Sequence, residues 1–294
     1  MRHRLLWLVL ALVALAGCGA VPQTPDAAVP VAREFMDAWV ARSSATMYPL
    51  LTDKARQAMT RGVVAAYLRT QLVSYESLGT PVRRTDTWLQ IPVRGLTIRL
   101  EDGEVRWPEV LLTMHHDGKR WQVAWAEPLM AQSMLAYESG AYVDQLAIGH
   151  TMTGIDPYHY RGYLEQHFAS RGLKRYREAE LWLIRAQETA TLAQLPDVRD
   201  ATARFKLSLG DANAAALQAR QALEAAAPLI PTTYSKRWQA DTLVVLAKAL
   251  YKAGDRTGTD EAVRQAAAAD PVNAPLAVFR QQLNAPAPSA PAKS

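Results

Sequence analysis

Cysteine is almost missing from this chain of 294 residues, which contains only one. A single cysteine excludes an intramolecular disulfide framework, a zinc site built from several thiolates and an iron–sulfur cluster. Strong charge of one sign is missing as well, because the formal net charge is only +5. Hydrophobic residues make up 49% of the chain, which excludes a wholly disordered protein. The length predicts two domains of about 100–150 residues, each large enough to bury a core.

Sequence patterns of metal-dependent and phosphate-binding enzymes are also missing. The chain has no His-Glu-x-x-His motif and no glycine-rich loop that leads into Lys-Ser or Lys-Thr. His159 and His167 are eight residues apart, about two helical turns, so they could share one face of a helix. We interpret them as core or surface histidines rather than as ligands. The sequence therefore predicts no metal site and no cofactor.

A long hydrophobic run occurs only at the N-terminus. The basic residues Arg2 and Arg4 precede an apolar stretch over residues 5–16, which is well short of the ~20 residues that span a bilayer. The last two residues of the stretch and the two that follow it are Leu15, Ala16, Gly17 and Cys18. They resemble the lipobox of bacterial lipoproteins, which implies that residues 1–17 are a signal peptide and that Cys18 is acylated. The alternative is a secreted protein with a chance cysteine here.

Acylation at Cys18 would set both location and partners. Several acyl chains anchor a protein stably, so we expect it on the cell membrane or outer membrane, facing the periplasm or exterior. Removing residues 1–17 takes away two arginines and no acid, leaving a net charge of +3, too weak to predict nucleic-acid binding. Residues 18–26 are interpreted as the lipidated N-terminus and linker, and residues 285–294 as a disordered tail.

Residues 27–131 are predicted to form a first domain of helices followed by a sheet. Apolar side chains of residues 32–40 fall on one helical face. A later helix is predicted to start at Thr60, and its apolar positions recur at helical spacing: Val64, Leu68, Leu72 and Tyr75. Asp102-Gly103 and Asp117-Gly118 each separate alternating segments, which predicts two hairpins with type I′ turns. The fold class expected is α+β, with helices on a twisted antiparallel sheet.

Three segments of this domain, residues 31–53, 64–80 and 110–130, resemble the nuclear-transport-factor-2-like cone. The nearest version is the N-terminal module of class B penicillin-binding proteins, whose last strand carries tryptophans around a valine. Here that pattern is Trp121, Val123 and Trp125. In those proteins a transpeptidase follows, with Ser-x-x-Lys, Ser-x-Asn and Lys-Thr-Gly motifs. None of the three occurs in this chain, so we predict that it is not an enzyme.

Other proteins with this cone are small-molecule isomerases and lyases with acidic, histidine or tyrosine residues in the pocket. The resemblance implies three candidate pocket residues here: Asp37, Tyr67 and His115. His115 and His116 are neighbours on a predicted strand, so only one of them can face the interior. The alternative interpretation is a surface carboxylate at Asp37, core packing for Tyr67, and histidines that are buried or solvated.

Residues 156–284 are predicted to form an all-α second domain, joined to the first by a connector over residues 132–155. Ala179, Ala215 and Thr259 are each followed seven residues later by alanine. Gly-Asp pairs precede the last two, and Asp270-Pro271 closes the third unit. This spacing resembles the tetratricopeptide repeat, which implies three degenerate helical hairpins that bind peptides or partner helices.

The leading hypothesis for function is a non-catalytic, membrane-anchored lipoprotein of the cell envelope. It would contact the lipid membrane through Cys18 and bind a protein partner, with a role in cell-wall or envelope assembly. The alternative is small apolar ligand binding, or isomerase or lyase chemistry, in the cone pocket. A third hypothesis is a resistance or immunity factor that competes with the penicillin-binding module for its partners.

Overall fold

A computed structural model describes residues 24–100 and 103–284 of the chain. The predicted signal peptide over residues 1–17, the predicted lipobox with its acylation site at Cys18, and the predicted disordered tail over residues 285–294 lie outside the described residues. Two residues of the first predicted hairpin turn, 101 and 102, lie outside them as well.

Helices and strands follow one another in three blocks within the described residues. The first block contains α1 (Ala28–Val40), α2 (Ser44–Met47), α3 (Asp53–Ala58) and α4 (Arg61–Arg69). The second contains β1 (Leu72–Ser74), β2 (Ser77–Leu78), β3 (Val82–Arg83), β4 (Trp88–Leu100), β5 (Gly103–His116) and β6 (Trp121–Ala124). The third contains α5 (Leu129–Glu138), α6 (Tyr142–Ile155), α7 (Tyr160–Gly172), α8 (Tyr176–Thr189), α9 (Leu195–Ser208), α10 (Ala212–Ala226), α11 (Lys236–Lys252), α12 (Arg256–Ala269) and α13 (Ala274–Asn284).

The six strands form one curled antiparallel sheet, called the half-barrel below. The long strands β4 and β5 pair from Trp88 opposite His115 to Leu100 opposite Gly103, and β6 pairs with β5. The short strands β1, β2 and β3 all pair with β4. Gly95 bends β4 with a φ of +61°, where a Cβ would lie 2.3 Å from the side chain of Glu76. A glycine kink of this kind adds curvature to a long twisted sheet.

Two local predictions in this domain need correction. The helix capped by Thr60 ends at Arg69 rather than continuing through Tyr75, because residues 72–74 pair with β4 as strand β1. At the β5–β6 hairpin Gly118 has a φ of +92°, but Asp117 does not have a positive φ, so the turn is not type I′. Instead, Oδ1 of Asp117 accepts hydrogen bonds from the backbone amides of residues 119 and 120, each 2.8 Å long.

An aromatic cluster lies in the core between α1 and the half-barrel. Phe35 and Trp39 of α1 are buried, as the helical periodicity predicts. The rings of Phe35, Trp39 and Tyr67 all pack edge-to-face on Trp125, with centroid distances of 5.3–5.5 Å. Such pairs add about 0.5–1.5 kcal/mol each beyond the burial of their area. This cluster fixes α1 and α4 over one end of the half-barrel.

Helices α5 to α13 pack in sequence as antiparallel hairpins, called the helical array below. The six small residues that the repeat spacing singles out are all buried at the helix contacts: Ala179, Ala186, Ala215, Ala222, Thr259 and Ala266. Gly210 and Gly254 take a φ of +85° at two hairpin turns, and Lys174 takes +61° at the equivalent turn. The predicted fold class, an α+β sheet domain followed by helical hairpins, is therefore confirmed. Residues 132–155, interpreted as a connector, form most of α5 and all of α6.

The helical array closes back onto the half-barrel through the loop between α10 and α11. The backbone amide of Arg106 in β5 donates to the carbonyl oxygen of Thr232 at 2.9 Å. The ring of Tyr234 packs edge-to-face on Trp107 at 6.0 Å, and its hydroxyl donates to the carbonyl oxygen of Ala193. These contacts bring the N-terminal ends of α7, α9 and α11 towards the sheet.

Candidate functional site

The three residues predicted for a pocket are not close together. Asp37 lies on the exposed outer face of α1, where it accepts a 2.7 Å hydrogen bond from the hydroxyl of Tyr75 beside a shallow open depression. His115 is half-buried and stacks on Trp88, with ring centroids 4.4 Å apart. His116 is the buried member of the histidine pair and accepts from the amide of Gly118. Only Tyr67 lies in the wall of the cavity that the fold encloses.

That cavity has a volume of about 280 Å³ and lies between the half-barrel and the start of the helical array. Its apolar wall comes from the inner face of β4 and β5: Val93, Leu96, Ile98, Val105, Val110 and Leu112. Strand alternation alone would place Val93 and Leu96 on opposite faces, and the kink at Gly95 between them brings both into the wall. Trp39, Tyr67 and Trp125 line it from the aromatic core.

Four residues with acidic or basic side chains also line this cavity, where the half-barrel meets the helical array: Glu127, Asp156, His159 and Arg161. His159 caps α7, because its Nδ1 accepts a 3.0 Å hydrogen bond from the amide of Gly162. The other ring nitrogen, Nε2, therefore carries a proton and donates to Glu127 at 3.1 Å. The cap and the pair together fix the imidazole in one orientation.

Arg161 belongs to a second polar group at the same end of α7. Its Nε donates to the hydroxyl of Tyr160 at 3.0 Å, and a terminal amino group lies 3.8 Å from Oδ2 of Asp197 on α9. The Tyr160 hydroxyl in turn donates to Asp197. The guanidinium charge thus has a nearby carboxylate, although the Arg161 side chain keeps 39% of its surface accessible.

Burial and pairing shift the pKa values of these groups in different directions. Burial raises the pKa of Glu127, but the hydrogen bond and charge of His159 outweigh it, so the pKa of Glu127 is lowered overall. Burial lowers the pKa of His159, but the hydrogen bond to Glu127 and its negative charge have the larger effect, so the pKa of His159 is raised overall. Asp156 is in no described ion pair, and burial raises its pKa to about 6 against the charge of His159 and the hydrogen bonds from the Tyr158 amide and the Thr113 side chain.

Sequence reasoning missed this grouping. In the sequence, Arg161 is only a polar residue of a predicted helix. His159 is only one of two histidines that are eight residues apart. His167 lies elsewhere, buried in the helical array, with Nδ1 donating to the carbonyl oxygen of Ala179. Within residues 24–100 and 103–284, no group of three or more histidine, cysteine, aspartate or glutamate side chains is arranged to hold a metal ion. The same part of the chain contains no helix both long enough and apolar enough to span a bilayer.

The fold and site together define a curled antiparallel half-barrel joined to a helical array around a small, largely apolar cavity. No family model matches this chain, and no curated protein matches it. The solved structure of BtubC (BKLC) from P. vanneervenii is similar over 57% of this chain and 68% of its own, with 15% identity and a TM-score of 0.44. YrrB, described as a TPR protein with an unusual peptide-binding site, is similar over 54% of this chain and 93% of its own, with 12% identity and a TM-score of 0.30. Likenesses this distant carry no conclusion about function.

Proposed function

We propose that the protein is an exported lipoprotein, anchored to a membrane through acylated Cys18, that acts as a non-catalytic protein-interaction module of the cell envelope. The lipobox pattern supports the anchor, and a role in cell-wall or envelope assembly follows from the resemblance of the first domain. The observation that carries the interaction role is an exposed apolar pair on α8. Leu181 and Ile184 are 60% and 49% exposed and, three residues apart, share one helix face.

Site-specific cross-linking in the producing cells tests the interaction role. A photoreactive amino acid replaces Leu181 in the full chain, and a matched variant carries it at Gln281, an exposed polar position on α13. We expect one protein to cross-link at position 181 and not at 281, and Leu181→Glu with Ile184→Glu to weaken its co-purification. Identical cross-link patterns at both positions would contradict the proposal.

Membrane fractionation tests the anchor independently. We expect Cys18→Ala to abolish incorporation of labelled fatty acid and to release the protein from the membrane fraction, because one side chain carries the attachment. The helical content of the released protein, measured by circular dichroism, should not change. A variant that stays with the membranes as firmly as the wild type would refute lipid anchoring.

The cavity supports a second candidate function, the binding of a small apolar ligand. Its volume of about 280 Å³ lies just below the range of roughly 300–1,000 Å³ that is usual for small-molecule sites, so it suits a small ligand. Asp37 and His115 lie outside its wall, so isomerase or lyase chemistry would need Asp156 or His159 instead. Both of these residues already hydrogen-bond within the protein, which favours binding over catalysis.

A further inference from the structure

We infer that the cavity between the half-barrel and the helical array binds an apolar molecule that carries a hydrogen-bond donor and no anionic group. This inference rests on the second candidate function and names the chemistry of its ligand. The walls of the cavity come from both domains, so neither the sheet nor the helices could form it alone.

The apolar part of the ligand follows from the strand side of the cavity. Leu96 and Leu112 are nearly fully buried, whereas Val110 and Trp107 keep part of their surface accessible. These side chains form a continuous hydrocarbon and aromatic wall along β4 and β5. A ligand that covers this wall removes apolar surface from water, which favours binding.

The exclusion of an anion follows from the balance of charge on the helical side. Arg161 is offset by Asp197, 3.8 Å away, whereas Glu127 accepts from an imidazole that is neutral, because Nδ1 of His159 itself accepts a hydrogen bond. Asp156 is the remaining carboxylate in the wall, and none of the described ion pairs includes it. An anionic ligand would therefore face a net negative charge at short range, where the enclosure screens it poorly.

The hydrogen-bond donor of the ligand follows from oxygen atoms in the wall that can accept a further hydrogen bond. Asp156 accepts a 2.9 Å hydrogen bond from the amide of Tyr158, and a carboxylate can accept several. Oε1 of Gln71, also in the wall, has no hydrogen-bond partner. A hydroxyl, amine or amide N–H on the ligand would satisfy such an acceptor, which is costly to leave unpaired in an enclosed site.

Two fluorescent probes with the same ring system test the inference. N-phenyl-1-naphthylamine is neutral, apolar and carries one N–H, and 1-anilinonaphthalene-8-sulfonate adds only an anionic group. Both are titrated into the mature chain carrying Cys18→Ser, without detergent. We expect the neutral probe to bind about tenfold more tightly than the sulfonate, because the sulfonate meets the Asp156 carboxylate.

Three variants make the result specific to the cavity. Val110→Trp fills the cavity and should reduce binding of the neutral probe about tenfold. Glu109→Trp should not change it, because the half-exposed Glu109 side chain lies on the other face of β5, beside Arg94. Asp156→Asn removes the charge and keeps an acceptor oxygen, so it should raise the affinity for the sulfonate. Its near-ultraviolet circular dichroism should match that of the wild type, which excludes dye binding by a partly unfolded protein.

The outcomes separate the inference from the function on which it rests. If neither probe binds the wild type, the second candidate function is wrong. If both probes bind equally tightly and Val110→Trp blocks both, the cavity binds ligands but its predicted selectivity is overturned. If Val110→Trp and Glu109→Trp behave alike, the probes bind elsewhere and the inference fails.

Discussion

Protonation of His167 should be the main cause of acid sensitivity in the helical array. The side chain is fully buried, packs on Phe168 and Phe205 with centroids 5.2 Å away, and donates through Nδ1 to Ala179. Nε2 has no hydrogen-bond partner. Burial lowers the pKa of His167 to about 4, with the Ala179 hydrogen bond opposing and the charge of Arg171 adding to the shift.

The sign and size of the effect follow from this pKa. A histidine titrates near 6.5 when unfolded, so between pH 6.5 and 4 the unfolded state binds more protons and the free energy of unfolding falls as the pH falls. The contribution is fully present above pH 6.5. Integrated from pH 7 to pH 5, the loss for His167 alone amounts to about 2 kcal/mol.

Urea denaturation, followed by far-ultraviolet circular dichroism, measures this loss. The wild type and His167→Gln are compared at pH 7 and pH 5, both with Cys18→Ser. The difference between the two proteins isolates His167, because Asp156 acts in the opposite direction in both. We expect the wild type to lose about 2 kcal/mol more than His167→Gln between these pH values. Equal losses in the two proteins would refute the reasoning.

Three further changes have defined outcomes. Asp156→Asn should raise the free energy of unfolding above pH 6, by about 3 kcal/mol at pH 8, because the buried carboxylate, with its pKa of about 6, no longer has to ionise. No gain at pH 8 would contradict this. Phe35→Ala should lower the free energy of unfolding in urea by about 3–5 kcal/mol, since it leaves a cavity at a fully buried site beside Trp125. A loss under 1 kcal/mol would contradict the packing of Phe35 in the aromatic cluster. The backbones of Arg106 and Thr232 share a 2.9 Å hydrogen bond, so Arg106→Cys with Thr232→Cys should form a disulfide, which mass spectrometry detects. A pair that stays reduced under oxidising conditions would contradict this contact between the helical array and the half-barrel.

Features that depend on local periodicity could be predicted from the sequence. The small residues Ala215 and Ala222 lie seven apart because helix hairpins need close approach there, and both are buried at the helix contacts. Gly210 and Gly254 mark turns that need a positive φ. The cap at Thr60 likewise depends on one side chain and one amide, and its Oγ1 accepts from the amide of Val63.

Features that depend on contacts distant in sequence could not be predicted in this way. The spacing of Leu68 and Leu72 suits a helix, but pairing with β4 takes Leu72 into a strand. Tertiary pairing of this kind overrides local propensity. The cavity residues Gln71, Glu127 and Arg161 come from three distant positions, and only the return of α5 and α6 against α7 brings them together. The resemblance to the cone indicated a pocket in the first domain. The three segments that carry this resemblance end at residue 130, so they gave no sign that Asp156, His159 and Arg161 complete the cavity wall.

Ligand binding requires the half-barrel and the helical array to form one binding unit around the cavity. The most direct measurement is to purify the wild type, Val110→Trp and Glu109→Trp from the producing cells under mild conditions. Each protein is then denatured, and the released small molecules are identified by mass spectrometry. We predict an apolar, non-anionic compound that is released from the wild type and Glu109→Trp and is missing from Val110→Trp. Identical extracts from all three proteins would contradict the central claim.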